Sequence, residues 1–344
     1  MIQRLFGNKV KELRMQQGLT QDQLALITGI DRSQITKIEH GKVNATLETI
    51  EKISFALKIK SSLLLEDTHI LHPFVKWAGG KTQLLLKLKT YMPEHFNNYF
   101  EPFIGGGSFF FSITPKVATI NDFNSELICA YQCFQDDNLL SLLREELKKH
   151  EKNHSEEYYY KVREMDRDKS FSSLPIHIRA ARMIYLNKAC FNGLYRVNSK
   201  GYFNVPSGGK TKVITFDEDN FNCLRDYFKS NNITVLNGDF ETAVSNAKAG
   251  DFVYFDPPYD VIENKNSFTS YAKGDFGKDE QIRLANFYKK LSKKGVYVML
   301  SNHNTPFINE LYKDFNIHVV NAKRMINSKG DGRGDVEEVI ITNY

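Results

Sequence analysis

Tyr99-Phe100-Glu101-Pro102-Phe103-Ile104-Gly105-Gly106-Gly107-Ser108 reads as a buried strand that runs into three consecutive glycines and then opens a helix. A second short strand, Ala118-Thr119-Ile120, follows and ends in Asn121-Asp122-Phe123-Asn124. This order is that of a dinucleotide-type pocket in a parallel α/β sheet. Glycines let the backbone approach a ligand, and an acid at the end of the second strand accepts ribose hydroxyls. An NAD fingerprint spaces its glycines as Gly-x-Gly-x-x-Gly. Three in a row behind Glu-Pro-Phe favour an adenosyl ligand with no pyrophosphate to seat on a helix N-terminus.

Further along, the apolar run Phe252-Val253-Tyr254-Phe255 ends in Asp256-Pro257-Pro258-Tyr259. Each proline holds φ at about −65° and donates no N–H, so the carbonyls stand outward as pure acceptors. The Asp256 carboxylate and the Pro257 carbonyl can each accept one N–H of an amino group on a planar ring, with Tyr259 against the ring face. Alone, the tetrapeptide reads equally as a strand-end turn. Behind it, a helix from Asp279 carries Leu284, Phe287, Tyr288 and Leu291 on one face and leads into a strand from Val296 to Leu300. The Gly- and charge-rich stretch Asn327 to Asp335 reads as a mobile loop before a final strand, Val336 to Ile341.

Upstream lies Pro73-Phe74-Val75-Lys76-Trp77-Ala78-Gly79-Gly80-Lys81-Thr82, which looks like a phosphate loop. A Walker loop needs a glycine five residues before its Gly-Lys pair, and this chain has Val75 there. Gly208-Gly209-Lys210-Thr211 fails the same test at Asn204.

Residues 9–65 carry an all-helical pattern. Thr20 with Gln23 makes a capping box ahead of Leu24, Ala25 and Ile27, and Gly29 stops the helix. Asp31 opens the next, which turns Ile35 and Ile38 inward, leaves Arg32, Ser33, Gln34 and Lys37 outward, and ends at Gly41. A third helix, Thr46 to Leu57, supplies Leu47, Ile50, Ile53, Ser54 and Leu57 to the core. With the entry Leu19-Thr20-Gln21 and the exit Ile38-Glu39-His40-Gly41, the span resembles the Cro/repressor-type helix-turn-helix family. In that layout the second helix enters the major groove by its N-terminal residues. The competing reading is a bundle that serves dimerisation or stability.

Between the two sheet halves, an insertion of roughly Asp136 to Ser230 breaks the strand-helix alternation. Lys148 to Lys169, dense in Lys, Glu, Asp and Tyr, reads as a solvated helical face. Phe191 to Pro206 reads as a hairpin of two short aromatic strands around Asn198-Ser199-Lys200-Gly201, with Arg196 and Lys200 among the rings. Such a ribbon either packs on the core or enters a DNA groove, where an Arg contacts guanine.

At 344 residues, 41% hydrophobic and 25% charged, the chain has the size and composition of a soluble protein of two or three domains. No apolar run reaches the ~20 residues of a bilayer span. Met1-Ile2-Gln3-Arg4-Leu5-Phe6 lacks a signal-peptide core, so a cytoplasmic location is expected. Cys129, Cys133, Cys190 and Cys223 read as core thiols, with no second pair at zinc-ligand spacing; no metal is expected. A net charge of +5 is compatible with nucleic acid without requiring it.

Lys76-Trp77-Ala78-Gly79-Gly80-Lys81, Glu101-Pro102-Phe103 with its glycines, Asp122 with Asn124, and Asp256-Pro257-Pro258-Tyr259 together resemble the Dam-type family of DNA adenine-N6 methyltransferases. The resemblance covers residues 72 to 344 in the family's order. It implies a Rossmann-like S-adenosylmethionine-dependent sheet, α/β in class. The catalytic domain is expected over 72–135 and 231–344, the target-recognition insertion over 136–230, and the helix-turn-helix domain over 1–68. By match, Trp77, Lys81, Asp122 and Asp256 contact S-adenosylmethionine, and Phe103, Gly105 and Gly107 line its path. Asp239 sits near the donor's adenine or caps a turn.

In the members that modify GATC, the hairpin positions matching Phe191, Asn192, Leu194, Arg196, Asn198 and Pro206 read the site, and the position of Lys76 contacts its first guanine. The implied reaction flips the adenine out of the duplex, stacks it on Tyr259, and aligns its N6 through Asp256 and Pro257 for direct in-line transfer. Expected partners are double-stranded DNA, a cognate restriction endonuclease, and a second copy joined through the helix-turn-helix domain. Three rivals stand beside this reading: a transcription regulator with a vestigial methyltransferase half, cytosine-N4 methylation at the same corner, and RNA or protein amine methylation, which Asp rather than Asn at position 256 disfavours.

Overall fold

The computed structural model describes residues 2–65, 71–77, 84–261, 276–323 and 335–344. The chain divides into two compact units, Met1–Ile70 with Lys81–Thr90, and Leu71–Gly80 with Tyr91–Tyr344. Among the described residues, no helix is long and apolar enough to cross a membrane.

The first unit contains α1 (Ile2–Gln16), α2 (Gln21–Thr28), α3 (Arg32–Glu39), α4 (Leu47–Ala56) and α5 (Ser61–Leu65), and α6 (Leu85–Tyr91) opens in residues that group with it. The predicted capping box forms: Thr20 Oγ1 accepts from Gln23 N at 3.1 Å, and Gln23 Oε1 accepts from Thr20 N at 2.8 Å. Gly29 ends α2 at a φ of 66°, which only glycine adopts freely. Asp31 caps α3 by accepting from Ser33 N at 2.7 Å. Ile35 and Ile38 bury against Phe6, Val10, Leu24 and Ile53. Arg14 binds the Glu39 carboxylate at 2.5 and 3.1 Å, and Gln21 Nε2 donates to it at 2.8 Å, so one buried carboxylate ties three helices. Ile50, Ile53, Ser54 and Leu57 are buried as predicted, but Leu47 is 81% exposed. Leu47 is the first residue after the N-cap Thr46 and projects past the packed face.

The second unit is a seven-stranded sheet of β1 (Tyr99–Glu101), β2 (Val117–Asp122), β3 (Asn232–Asn237), β4 (Phe252–Phe255), β5 (Tyr297–His303), β6 (Asn316–Lys323) and β7 (Asp335–Thr342). Its order is β3-β2-β1-β4-β5-β7-β6. The first five strands run parallel, and β7 lies antiparallel between β5 and β6, with Ser301 opposite Ile340 and Val319 opposite Val339. At the centre β1 pairs with β4, Tyr99 opposite Phe252. The chain leaves β1 toward β2 on one side and leaves β4 toward β5 on the other. A crevice opens outside the carboxyl ends of strands at such a switch point, and ligands bind there. All four residues of β4 are buried, as a strand covered on both faces requires.

Around the sheet lie α7 (Ser108–Ile113), α8 (Ser125–Cys133), α13 (Phe240–Ala243), α14 (Lys278–Lys293) and α15 (Pro306–Leu311). The helix predicted from Asp279 is α14, whose Leu284, Tyr288 and Leu291 join Phe255, Val298, Leu300 and Ile341 in one core, with Phe287 at its edge. Of the loop predicted over 327–335, residues 327–334 lie outside the described residues.

Between α8 and β3 stand α9 (Asp137–Lys152), α10 (Glu156–Arg163), α11 (Ile176–Ala189) and α12 (Glu218–Ser230). The solvated face expected over Lys148 to Lys169 is a correction. Tyr159 and Val162 are buried, and Asp166 reaches the buried Arg182 at 2.8 Å. Charge density hid a helix that packs one stripe inward. Cys129, Cys133 and Cys190 are buried and Cys223 is half-buried; none forms a disulfide.

Candidate active site

β1 ends at Glu101, and the glycine turn returns the chain into α7. Gly105 and Gly107 have φ of 49° and 74°. A Cβ on Gly105 would stand 2.7 Å from Trp77 Cδ1, and one on Gly107 would stand 2.7 Å from Tyr131 Oη. The turn is therefore pressed against Trp77 on one side and α8 on the other. Asp122, at the end of β2, accepts from Gly105 N at 3.0 Å and from Asn124 N at 2.9 Å. Burial raises its carboxyl above the ordinary carboxylate range, while these backbone bonds oppose the rise.

Trp77, Gly105, Gly107 and Asp122 are thus brought to one place. A bare-backbone turn packed too closely on Trp77 and Tyr131 to carry a Cβ, an indole face and an acid suit an adenosyl group. Lys81 lies outside the described residues, with Ala78, Gly79, Gly80 and Thr82. Phe103 packs in an aromatic cluster, 5.4 Å from Phe240 and 6.3 Å from Phe255 between ring centroids. Asp239 caps α13 by accepting from Glu241 N at 3.0 Å and pairs with Arg283, so the turn-capping alternative describes its contacts. One residue that sequence reading passed over is Asn121. Buried in β2, it donates to the Pro102 and Gly238 carbonyls, both at 3.0 Å, and holds three strand ends in register.

Asp256 is half-buried at the end of β4, with Pro257 buried behind it. The corner rests on two buried amides. Gln281, on the first turn of α14, donates to the Pro258 carbonyl at 2.8 Å. Asn302 of β5 donates to Gln281 Oε1 at 3.2 Å and accepts from Asp260 N at 2.9 Å. Tyr259 donates its hydroxyl to Glu338 of β7 at 2.9 Å, and its ring meets His303 edge-on at 4.8 Å. Burial, then the Asp256 and Glu338 carboxylates, drive the Tyr259 phenol far above its ordinary value, so it stays a donor. A polar residue inside an apolar helix face or strand was the one available signal for Gln281 and Asn302.

The Phe191 to Pro206 segment does turn back on itself, but not as two regular strands. Phe191–Gly193 is a single 3-10 turn with Asn192 at a φ of 56°, and pairing is limited to bridges at Cys190 with Ser207 and Val197 with Phe203. Asn198 makes the turn by accepting from Lys200 N at 3.0 Å and Tyr202 N at 3.1 Å. Arg196 is exposed, with Nε donating to Asn204 Oδ1 at 2.7 Å. Phe191, Asn192 and Pro206 are exposed and Leu194 half-buried. Lys76 is exposed next to this segment: a Cβ on Gly193 would stand 2.8 Å from Lys76 Cδ.

Two buried anchors, both missed in the sequence, secure the ribbon. Asp166 accepts from Phe203 N at 2.7 Å and pairs with Arg182, which also binds Glu126 at 2.7 Å. Asn187 accepts from Lys76 N at 2.9 Å and donates to the carbonyls of Lys76 at 2.7 Å and Gly193 at 3.0 Å. In the helical unit, Arg32, Ser33 and Lys37 are exposed and Gln34 half-buried on α3, and Arg32 makes an exposed pair with Asp22 at 3.1 Å.

Compared with known proteins, residues 77–326 match the profile of the D12 class N6 adenine-specific DNA methyltransferases, and residues 10–64 match a helix-turn-helix profile. The chain is 46% identical over 285 residues to the type II methyltransferase M1.LlaDCHI of Lactococcus lactis, covering 82% of this chain and 99% of that protein. It is 44% identical over 288 residues to the type II methyltransferase M.MjaIII of Methanocaldococcus jannaschii, 79% of this chain and 99% of that one. To the DNA adenine methylase of Serratia marcescens it is 33% identical over 270 residues, 78% and 96%.

Proposed function

Because this chain belongs to the D12 class of N6 adenine-specific DNA methyltransferases, we propose that it methylates the adenine of GATC in duplex DNA, acting on a base swung out of the helix. S-adenosylmethionine, the donor of the class, supplies an electrophilic methyl group when bound. The observation that carries the reading is the placement of the Asp256-Pro257 acceptors at the end of β4, next to β1 and its Trp77-backed glycine turn.

In this reading Trp77, Lys81, Phe103, Gly105, Gly107, Asp122 and Asp256 hold the donor. The Asp256 carboxylate and the Pro257 carbonyl accept hydrogen bonds from the two N6–H groups, draw the nitrogen toward a pyramidal shape and aim its lone pair; N6 bonds to the methyl as that group leaves sulfur, and one N6 proton then passes to solvent. Tyr259 covers the base, its ring angle set by Glu338. No group of the chain forms a covalent bond; the gain comes from positioning, for which effective molarities reach about 10⁵ M or more. An amino group inside a duplex is shielded by stacking, so the adenine leaves the stack to reach the Asp256 and Pro257 acceptors.

Lys76, Phe191, Asn192, Leu194, Arg196, Asn198 and Pro206 read the neighbouring bases. The match of these positions to GATC-modifying members supports that site. In the helical unit, Arg32, Ser33, Gln34 and Lys37 contact a second stretch of DNA, and pairing of two copies through this unit would set half-site spacing. The type II relatives support a place in a restriction-modification pair with a cognate endonuclease, in the cytoplasm where the DNA lies.

The test incubates the protein and labelled donor with duplexes carrying GATC, a shuffled site, or GATC already methylated at N6. Label in the first alone is expected; equal label in all three would overturn both the site and the target atom. Asp256→Ala should lower transfer by about 10²- to 10³-fold and still shift DNA through the helix-turn-helix in a gel.

A further inference from the structure

The wall of the donor pocket and the base of the target-reading hairpin are one piece. The Tyr195 ring, on the hairpin, stacks on the Trp77 indole at 5.1 Å and 24°. Its hydroxyl faces the side chain of Asn124. Asn124 caps α8 by accepting from Glu126 N and Leu127 N, both at 3.1 Å, and its own N–H goes to Asp122. Tyr195 therefore touches both sides of the pocket, the indole against Gly105 and the acid-bearing end of β2. Deeper in the hairpin, the same ring packs on buried Phe203 at 5.5 Å. Asn187 runs in parallel, clamping the Lys76 peptide to Gly193 just before Trp77. A hairpin that shifts on DNA cannot leave this indole where it was.

We infer that Tyr195 is a positioning residue that couples occupancy of the donor pocket to the conformation of the target-reading hairpin, so that donor and target duplex each tighten the binding of the other. The inference rests on the reading of Trp77 as a wall of the donor pocket. Any such coupling is reciprocal and commonly reaches five-fold or more in affinity.

Trp77 is the sole tryptophan of the chain, so tryptophan emission reports on this one position. The full-length protein is titrated with S-adenosylhomocysteine, the demethylated and unreactive donor, with and without a GATC duplex. Binding is followed both by Trp77 emission and by equilibrium dialysis. For the unaltered protein the duplex is expected to tighten binding at least five-fold. Tyr195→Ala should reduce that ratio below two-fold, and Tyr195→Phe, which keeps the ring and loses the hydroxyl that faces Asn124, should fall between. Tyr195→Leu replaces the alanine variant if the latter fails to fold. A residue that merely filled space would lower the melting temperature and leave the ratio intact. The inference is overturned if the unaltered protein shows no duplex effect on dialysis, or if a folded Tyr195 variant without the ring keeps the full ratio. If S-adenosylhomocysteine binds on dialysis and leaves Trp77 emission unmoved, the assignment of Trp77 to the pocket falls, and the dialysis ratios alone decide the coupling.

Discussion

At Gly105 two limits on covalent size meet. Its φ of 49° and the 2.7 Å approach of a notional Cβ to Trp77 Cδ1 act together. Gly105→Ala should lose about 2 kcal/mol of donor binding, which raises the KM for S-adenosylmethionine by roughly 30-fold with a smaller change in kcat; initial-rate kinetics check it. At Tyr259 ring and hydroxyl separate. Tyr259→Phe keeps the ring and frees its angle from Glu338, so kcat should fall only a few-fold. Tyr259→Ala should lose about 1 to 3 kcal/mol of stacking on the base, read as single-turnover rates. These residues were legible because their chemistry is local: glycines, prolines and an acid at a strand end carry their meaning within a few positions. Asn121, Gln281 and Asn302 were not, since an amide is informative only once the carbonyls it serves are known, and these come from other strands and loops.

Elements that repeat a period were anticipated well, and those that depend on distant partners were not. The cap residues Thr20, Asp31 and Thr46 mark their helices in sequence and in structure alike, because a cap bonds within three residues. The Phe191 to Pro206 hairpin was visible as alternating aromatics, yet its pairing is two isolated bridges. Its shape comes from α11, which contributes Arg182 and Asn187, and from Asp166, a residue in a stretch that reads as solvent-facing. Arg182→Met should leave Glu126 and Asp166 buried without their cation, a loss of about 3 to 5 kcal/mol. Denaturant unfolding would measure it, and transfer should drop even in variants stable enough to assay. Leu47 shows the opposite limit: apolar spacing alone put it in the core, and its place at a helix start turned it outward.

Across the whole molecule the two units differ in how pH acts on them. Glu12 on α1 is partly buried, and burial, opposed by Lys9, lifts its carboxyl from 4.5 to about 7. A carboxyl raised in the folded state stabilises when protonated, so its contribution is full below pH 4.5 and is lost as the pH rises through about 7. Glu12→Gln should therefore raise the melting temperature of the helical unit at pH 8, by about 1 to 2 kcal/mol in stability, and change little at pH 4; calorimetry on the full chain at both values tests it. In the sheet unit, burial lifts the Cys129, Cys133 and Cys190 thiols above their ordinary value, which keeps them protonated and poor nucleophiles. Cys223 on α12 alone has solvent access. The native protein accordingly offers a single conjugation point: maleimide treatment should add one label, recovered by peptide mass spectrometry on the segment holding Cys223, and a dye or surface tether placed there would need no engineered cysteine.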